Sequence, residues 1–414
     1  MKYFFTFFCL VIYMANCNSQ TGFTINDFLA GSDQQESVVF QKQKFNFLKT
    51  ISHDLALIEK LEFRTEMNEF DFRKQDFLLR VSPNSFKNIK TQHQYQESIQ
   101  YMTEMEMEVA QGNALRERYE LLVNYIYSKE ILAIKEKQKI LLKDKVTLLR
   151  RSIALADFDI LDLIASEDEQ QDNIRAILEL KNTILTFEKL IQRMAKSSQT
   201  IQIDKGKLIH IAAIKKLVEK INAAKAVNHP QLKVLYAKRY NNILEYEWEA
   251  AKTKFSLGYV QLKYSADPKD SFGKRISIGI GFDIPLKGIN RLDLNELQLQ
   301  IFESESQYKN AKQGLINNTY SIHQELNNLI QKYELVSHQL QESQAEFALK
   351  EYRKIAEAPP LALLKLRKNT YKKELLLQEL ELKIMKTYIE YLNYAGLLSQ
   401  VPYKNYLSKN LDEF

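Results

Sequence analysis

Two clusters of charge are the residues best placed to do chemistry, and that chemistry is reversible ion pairing. One cluster holds Asp157, Asp159, Asp162, Glu167, Asp168 and Glu169. The other holds Arg353, Lys354, Lys365, Arg367 and Lys368, with Glu357 the only acid nearby. Each surrounds a chain reversal, at Asp157-Phe158-Asp159 and at Pro359-Pro360, where neither proline can sit inside a helix. Side by side, the two reversals would attract through many pairs, each weak when exposed, and a competing partner could release them. The plainer alternative is solubilising charge at helical turns. Catalytic arrangements are missing. The six histidines (His53, His93, His210, His229, His323, His338) are scattered, with no i, i+4 metal pair. There is no Gly-x-Ser-x-Gly, no phosphate-binding loop and, beyond Cys9 and Cys17, no cysteine. Glu104, Glu106 and Glu108 alternate within a helical stretch, so they cannot all share a face and suggest no site. The reading is of a protein that is not an enzyme and takes no cofactor or metal.

A second pattern belongs to a strand. Ile276, Ile278, Ile280, Phe282 and Ile284 fall on one face, and Arg275, Ser277, Gly279, Gly281 and Asp283 on the other. Apolar-out and polar-or-glycine-in is the pattern of a membrane barrel wall, where lipid demands apolar side chains and a fully bonded sheet. A soluble sheet with one buried face is the alternative. Gly279-Ile280-Gly281 is no nucleotide loop, because it lies inside a strand and no third glycine opens a helix.

The elements that must position these residues are mostly helices. Hydrophobic residues make up 45% of the 414 and charged ones 27%, so the chain is ordered, and the net charge of +6 reads as solvated helix faces rather than a nucleic-acid surface. No proline lies between Pro83 and Pro230. A β pattern closed by proline precedes a very long helical run twice, at Leu78 to Pro83 and at Gly281 to Pro285. At ~1.5 Å per residue each run would reach roughly 100 Å. Leucine, isoleucine and tyrosine at three- and four-residue spacings along both runs mark packing seams.

The predicted fold is mainly α, with long antiparallel helical hairpins and short β segments in two tandem repeats. Lys2, the apolar run Tyr3 to Met14, and Cys17 and Ser19 make residues 1–19 a signal peptide cut after Ser19; acylation of Cys17 is the alternative. Residues 20–196 form the first repeat, 197–228 a connector with a short helix at Ile209 to Ile221, 229–398 the second repeat, and 399–414 a tail. Within the first repeat, Asp33 to Glu69 reads as helix, Phe70 to Val81 as a short β stretch, Phe86 to Ala154 as the long arm and Leu161 to Met194 as its return. In the second, a helix to Lys254, two strands around Ser265 to Asp270, an arm from Arg291 to Ala356 and a return from Leu361 to Leu398 follow.

This layout resembles the TolC-like outer-membrane channel family across nearly the whole mature chain. His229-Pro230-Gln231-Leu232 before Trp248-Glu249-Ala250-Ala251-Lys252 looks like the start of that family's second copy. Phe255-Ser256-Leu257-Gly258-Tyr259 looks like its first strand, and Ile276 to Leu286 like its second strand and exit. The resemblance implies a homotrimer whose hairpins form an α-barrel tunnel across the periplasm and whose strands close a small twelve-stranded β-barrel in outer-membrane lipid. It implies an exit duct fed by an inner-membrane transporter through a periplasmic adaptor. It also implies a latch at the periplasmic tips, with Asp159, Asp162, Tyr352 and Arg353 near matching places. Leu361-Ala362-Leu363-Leu364 stands where the family usually has an aspartate, which removes the basis for a cation-selective acidic ring. The other departure is the first β segment. Only Phe70 to Phe86 is available for two strands, with Phe70 and Phe72 out of phase with Phe77, Leu79 and Val81. A shortened or incomplete barrel is therefore expected, and a periplasmic scaffold, adaptor or non-spanning channel relative stands as the alternative.

Overall fold

Side-chain alternation decides where helix gives way to strand in this chain. The computed structural model describes residues 24–50, 57–67, 75–154, 158–199, 201, 205–220, 229–252, 256–265, 271–283, 291–342, 351 and 360–414. In order, these form helices α1 (Ile25–Ala30) and α2 (Glu36–Thr50), strands β1 (Ile58–Met67) and β2 (Gln75–Pro83), the long helix α3 (Phe86–Arg151) and its return α4 (Ile160–Ala195). The short helix α5 (Ile211–Lys220) follows. Then come α6 (Pro230–Lys252), β3 (Ser256–Ser265), β4 (Ile276–Asp283), α7 (Arg291–Glu342) and α8 (Pro360–Tyr394). Helix, two strands, long helix and return helix thus occur in that order twice.

The first β segment differs from the expectation. The helix expected from Asp33 to Glu69 ends at Thr50, and a ten-residue strand, β1, follows where none was predicted. The lysine, arginine and glutamates of β1 are good helix formers, which disguised it. From Lys60 onward, however, the charged positions strictly alternate. Lys60, Glu62, Arg64 and Glu66 take one face, and Leu61, Phe63, Thr65 and Met67 the other. That alternation matches β2, so pairing across the two strands outweighs intrinsic propensity. The first hairpin is therefore as long as the second, and the expectation of a shortened barrel is corrected. Phe70 and Phe72 lie outside the described residues.

By its internal packing the chain divides into two units. One comprises Phe40–Val109 and Val227–Gly314 and contains the whole sheet. All four strands are antiparallel in the order β1-β2-β3-β4. The rows run Leu61-Val81-Val260-Ile280 and Phe63-Leu79-Leu262-Ile278 on the apolar face, and Glu62-Arg80-Gln261-Gly279 on the polar one. Helix packing in this unit relies on small or polar buried residues, among them Ser98, Thr103, Ala237 and Ser304, which let helices approach closely.

The other unit comprises Met1–Val39, Ala110–Ala226 and Leu315–Phe414. Its core joins Tyr119, Leu122 and Ile126 of α3, Ile191 of α4, Ile214 and Val218 of α5, Leu326 and Ile330 of α7, and Ile384, Tyr388 and Leu392 of α8. The segment after α8 folds back onto this core. Tyr119 Oη donates to the Lys404 carbonyl at 2.8 Å and accepts from the Tyr406 amide at 3.1 Å. Asn405 Nδ2 donates to Asn26 Oδ1 at 2.6 Å. Arg118 is the buried clasp of this unit. It donates to the carbonyls of Phe28, of Gly31 at 2.8 Å and of Met194 at 3.1 Å. Burial pulls its guanidinium down to about 10, still charged at physiological pH.

Candidate channel wall and hairpin tips

In the sheet, the apolar face is left exposed. Ile278 is 74% exposed and Phe63 66%, whereas Asp76 on the polar face is 7% exposed. A soluble sheet would bury the isoleucines and solvate the acid. The predicted strand residues Ile276, Ile278, Ile280 and Phe282 all lie on the exposed apolar face; Ile284 lies outside the described residues. Strands of 8–10 residues match the 9–11 that cross a bilayer at a tilt. Aromatic rings gather toward the hairpin end of this face, where Phe77 stands between Phe63 and Tyr264 with ring centres 6.3 and 6.4 Å apart.

On the polar face, charges are paired. Lys263 Nζ lies 2.7 Å from Asp76 Oδ2, and Arg64 Nη2 lies 2.8 Å from Glu62 Oε1. Arg80 Nη1 lies 3.8 Å from Glu62 Oε2, and Arg80 Nη2 donates to Gln261 Oε1 at 2.9 Å. Glu62, Arg80 and Gln261 were not singled out from sequence, and Tyr259 was named only as part of a strand motif. Glu62 belongs to β1, the strand that its charged residues disguised as helix.

The tips can be compared with the expected latch. Asp159 caps α4, its Oδ1 accepting from the Leu161 amide at 2.9 Å. Asp162 Oδ1 pairs with Lys145 Nζ at 3.0 Å, and Arg150 with Glu167 at 2.8 Å, so both pairs bind α4 to α3 within one hairpin. Among the described residues near the tips, Lys368 of α8 pairs with Glu169 of α4 and so links the two hairpins. Pro360 begins α8, where its missing N–H costs nothing. It lines a cleft of about 500 Å³ with Asp144, Arg151, Leu363 and Arg367. Asp157, Tyr352, Arg353 and Pro359 lie outside the described residues.

A further polar knot ties four elements of the same unit. Lys205 Nζ lies 3.0 Å from Glu381 Oε2 and donates to Gln378 Oε1 at 2.6 Å. Tyr333 Oη donates to Glu381 Oε1 at 3.2 Å, and Lys205 sits 5.0 Å from the centre of the Tyr127 ring. Burial first, then the Glu381 charge, pushes the Tyr333 phenol up to about 12, so it stays a donor. Among the described residues no cluster of histidine, cysteine or carboxylate could hold a metal, and no helix is long and apolar enough to cross a membrane.

No protein-family model matches this sequence. No curated protein matches it either. Solved structures do. CusC, described for folding and transmembrane channel formation, aligns with a TM-score of 0.68 at 10% identity over 90% of this chain and 92% of its own. The open-state MtrE outer-membrane channel of Neisseria gonorrhoeae aligns at 0.65, with 9% identity over 94% and 90%. The CmeC outer-membrane channel of Campylobacter jejuni aligns at 0.61, with 12% identity over 94% and 84%. This chain has the fold of the TolC-like outer-membrane channels.

Proposed function

We propose that the protein is the passive exit duct of a multi-component efflux or secretion system in the outer membrane of a Gram-negative bacterium. The observation that carries this reading is the sheet with one exposed apolar face and its ion pairs on the other, on a fold shared with outer-membrane channels. Strands β1 and β4 each have one edge with no partner strand among the described residues. An open edge cannot stand in lipid, because nothing there bonds its N–H and C=O groups. Closure by further copies answers this, and the fold likeness favours three copies, or twelve strands. A periplasmic adaptor would join the helical tips to an inner-membrane transporter, which supplies the energy. The corrected first hairpin removes the ground on which the non-spanning scaffold stood.

In this reading the tips close the periplasmic mouth. Asp159, Asp162 and the Glu169–Lys368 pair hold the hairpins in place, with Asp157, Tyr352, Arg353, Pro359 and Pro360 at the same reversals. A docking partner that competes for these pairs opens it. Single-channel recording in planar bilayers tests both claims, using wild type and a D162A/K368A variant. Discrete steps that widen in the variant are expected. Equal steps would remove the latch and keep the pore. No steps from folded protein, together with release from membranes without detergent, would sink the duct.

A further inference from the structure

Strand β4 carries two glycines on its polar face, although glycine weakens a strand unless another group approaches closely. Gly279 stands opposite Gln261 and Gly281 opposite Tyr259. A Cβ on Gly279 would lie 2.9 Å from Gln261 Cγ and Nε2, and one on Gly281 would overlap the Tyr259 ring, with Cδ1 at 2.8 Å. Both approaches are closer than real Cβ atoms tolerate. Gln261 and Tyr259 therefore lie sideways over the bare backbone of β4 instead of standing away from the sheet. From the other side, the Arg80 guanidinium rests 4.2 Å from the centre of the Tyr259 ring while its Nη2 holds Gln261. Glu62 of β1 completes the row. A layer of side chains is thus laid flat across all four strands.

We infer that Gly279 and Gly281 set the bore of the β-barrel, by giving Gln261 and Tyr259 room to lie against the wall. The inference rests on the duct reading and deepens it: the width available to cargo at this level is fixed by two missing side chains. Each added methyl lifts a large polar side chain off the wall, and each copy of the chain repeats the effect around the barrel. Cargo of large cross-section and either charge suits a wall that is both flat and charge-paired.

The test measures the size cut-off for polyethylene glycols of graded size, added on the side to which the barrel opens, with full-length protein in planar bilayers. Gly281→Ala should lower the largest polymer that enters, and Gly281→Ala with Tyr259→Ala should restore it. Tyr259→Ala alone should leave the cut-off unchanged, since a flat ring takes no bore; this variant serves even if Gly281→Ala fails to assemble. An unchanged cut-off in Gly281→Ala, failed restoration in the pair, or a larger cut-off in Tyr259→Ala alone overturns the inference. In any of those cases a conducting wild type leaves the duct reading intact. A wild type with no pore overturns both.

Discussion

Removing one oxygen, in Tyr119→Phe, takes one partner each from the Lys404 carbonyl and the buried Tyr406 amide, which otherwise hold only each other, at 3.1 Å. Losing a hydrogen bond of this kind costs about 0.5–1.5 kcal/mol. Denaturant unfolding of the solubilised protein should show that loss; a neutral substitution would mean that water replaces the hydroxyl. Glu108 offers a pH-dependent case. Burial pushes its carboxyl above the ordinary 4.5, against Lys233 and with help from Glu104. A raised folded-state value means that the folded chain holds this proton more tightly than the unfolded chain. The penalty is absent below 4.5 and grows as pH rises through the raised value. Glu108→Gln should therefore raise the melting temperature at about pH 7 and leave it unchanged at about pH 4. An equal gain at both would point to packing rather than charge.

Among the elements, the four strands make the sharpest prediction. An arginine at Ile278, in mid-strand on the apolar face, should cost about 2–4 kcal/mol if that face meets the bilayer midplane. The same change at Ser277, on the polar face, should cost far less. Resistance of the assembled protein to urea extraction from membranes compares the two, and equal losses would place the face out of lipid. This face was legible in β4, where every outward residue is isoleucine or phenylalanine. It was hidden in β1, where Lys60, Glu62, Arg64 and Glu66 supply the residues a helix also favours. The long helices were legible because proline is missing from α3 and because Asp159 and Pro360 mark the starts of α4 and α8. The knot of Lys205, Glu381, Tyr127 and Tyr333 was not. Its members are scattered along the chain, and no local period records that tertiary packing will join them.

For the molecule as a whole, the polar face of the paired strands balances Lys60, Arg64, Arg80 and Lys263 against Glu62, Glu66, Asp76 and Asp283. A wall with both signs interspersed focuses neither cations nor anions. The reversal potential in a salt gradient should lie near zero for wild type and move toward cation preference in Arg80→Gln, which leaves Glu62 without one of its partners. A strongly selective wild type would assign control of ions to another part of the duct. The bond between Asn26 and Asn405, with Tyr119 held by Lys404 and Tyr406, has a consequence of timing. On a chain exported N-terminus first, residue 26 emerges long before residue 405. Until then α1 and Tyr119 lack the segment that covers them, and contacts so distant in sequence form slowly. Until its last segment arrives the exported chain holds that core uncovered and its apolar strands exposed, a state prone to aggregation. Loss of holding chaperones should then lower the amount of this protein that accumulates.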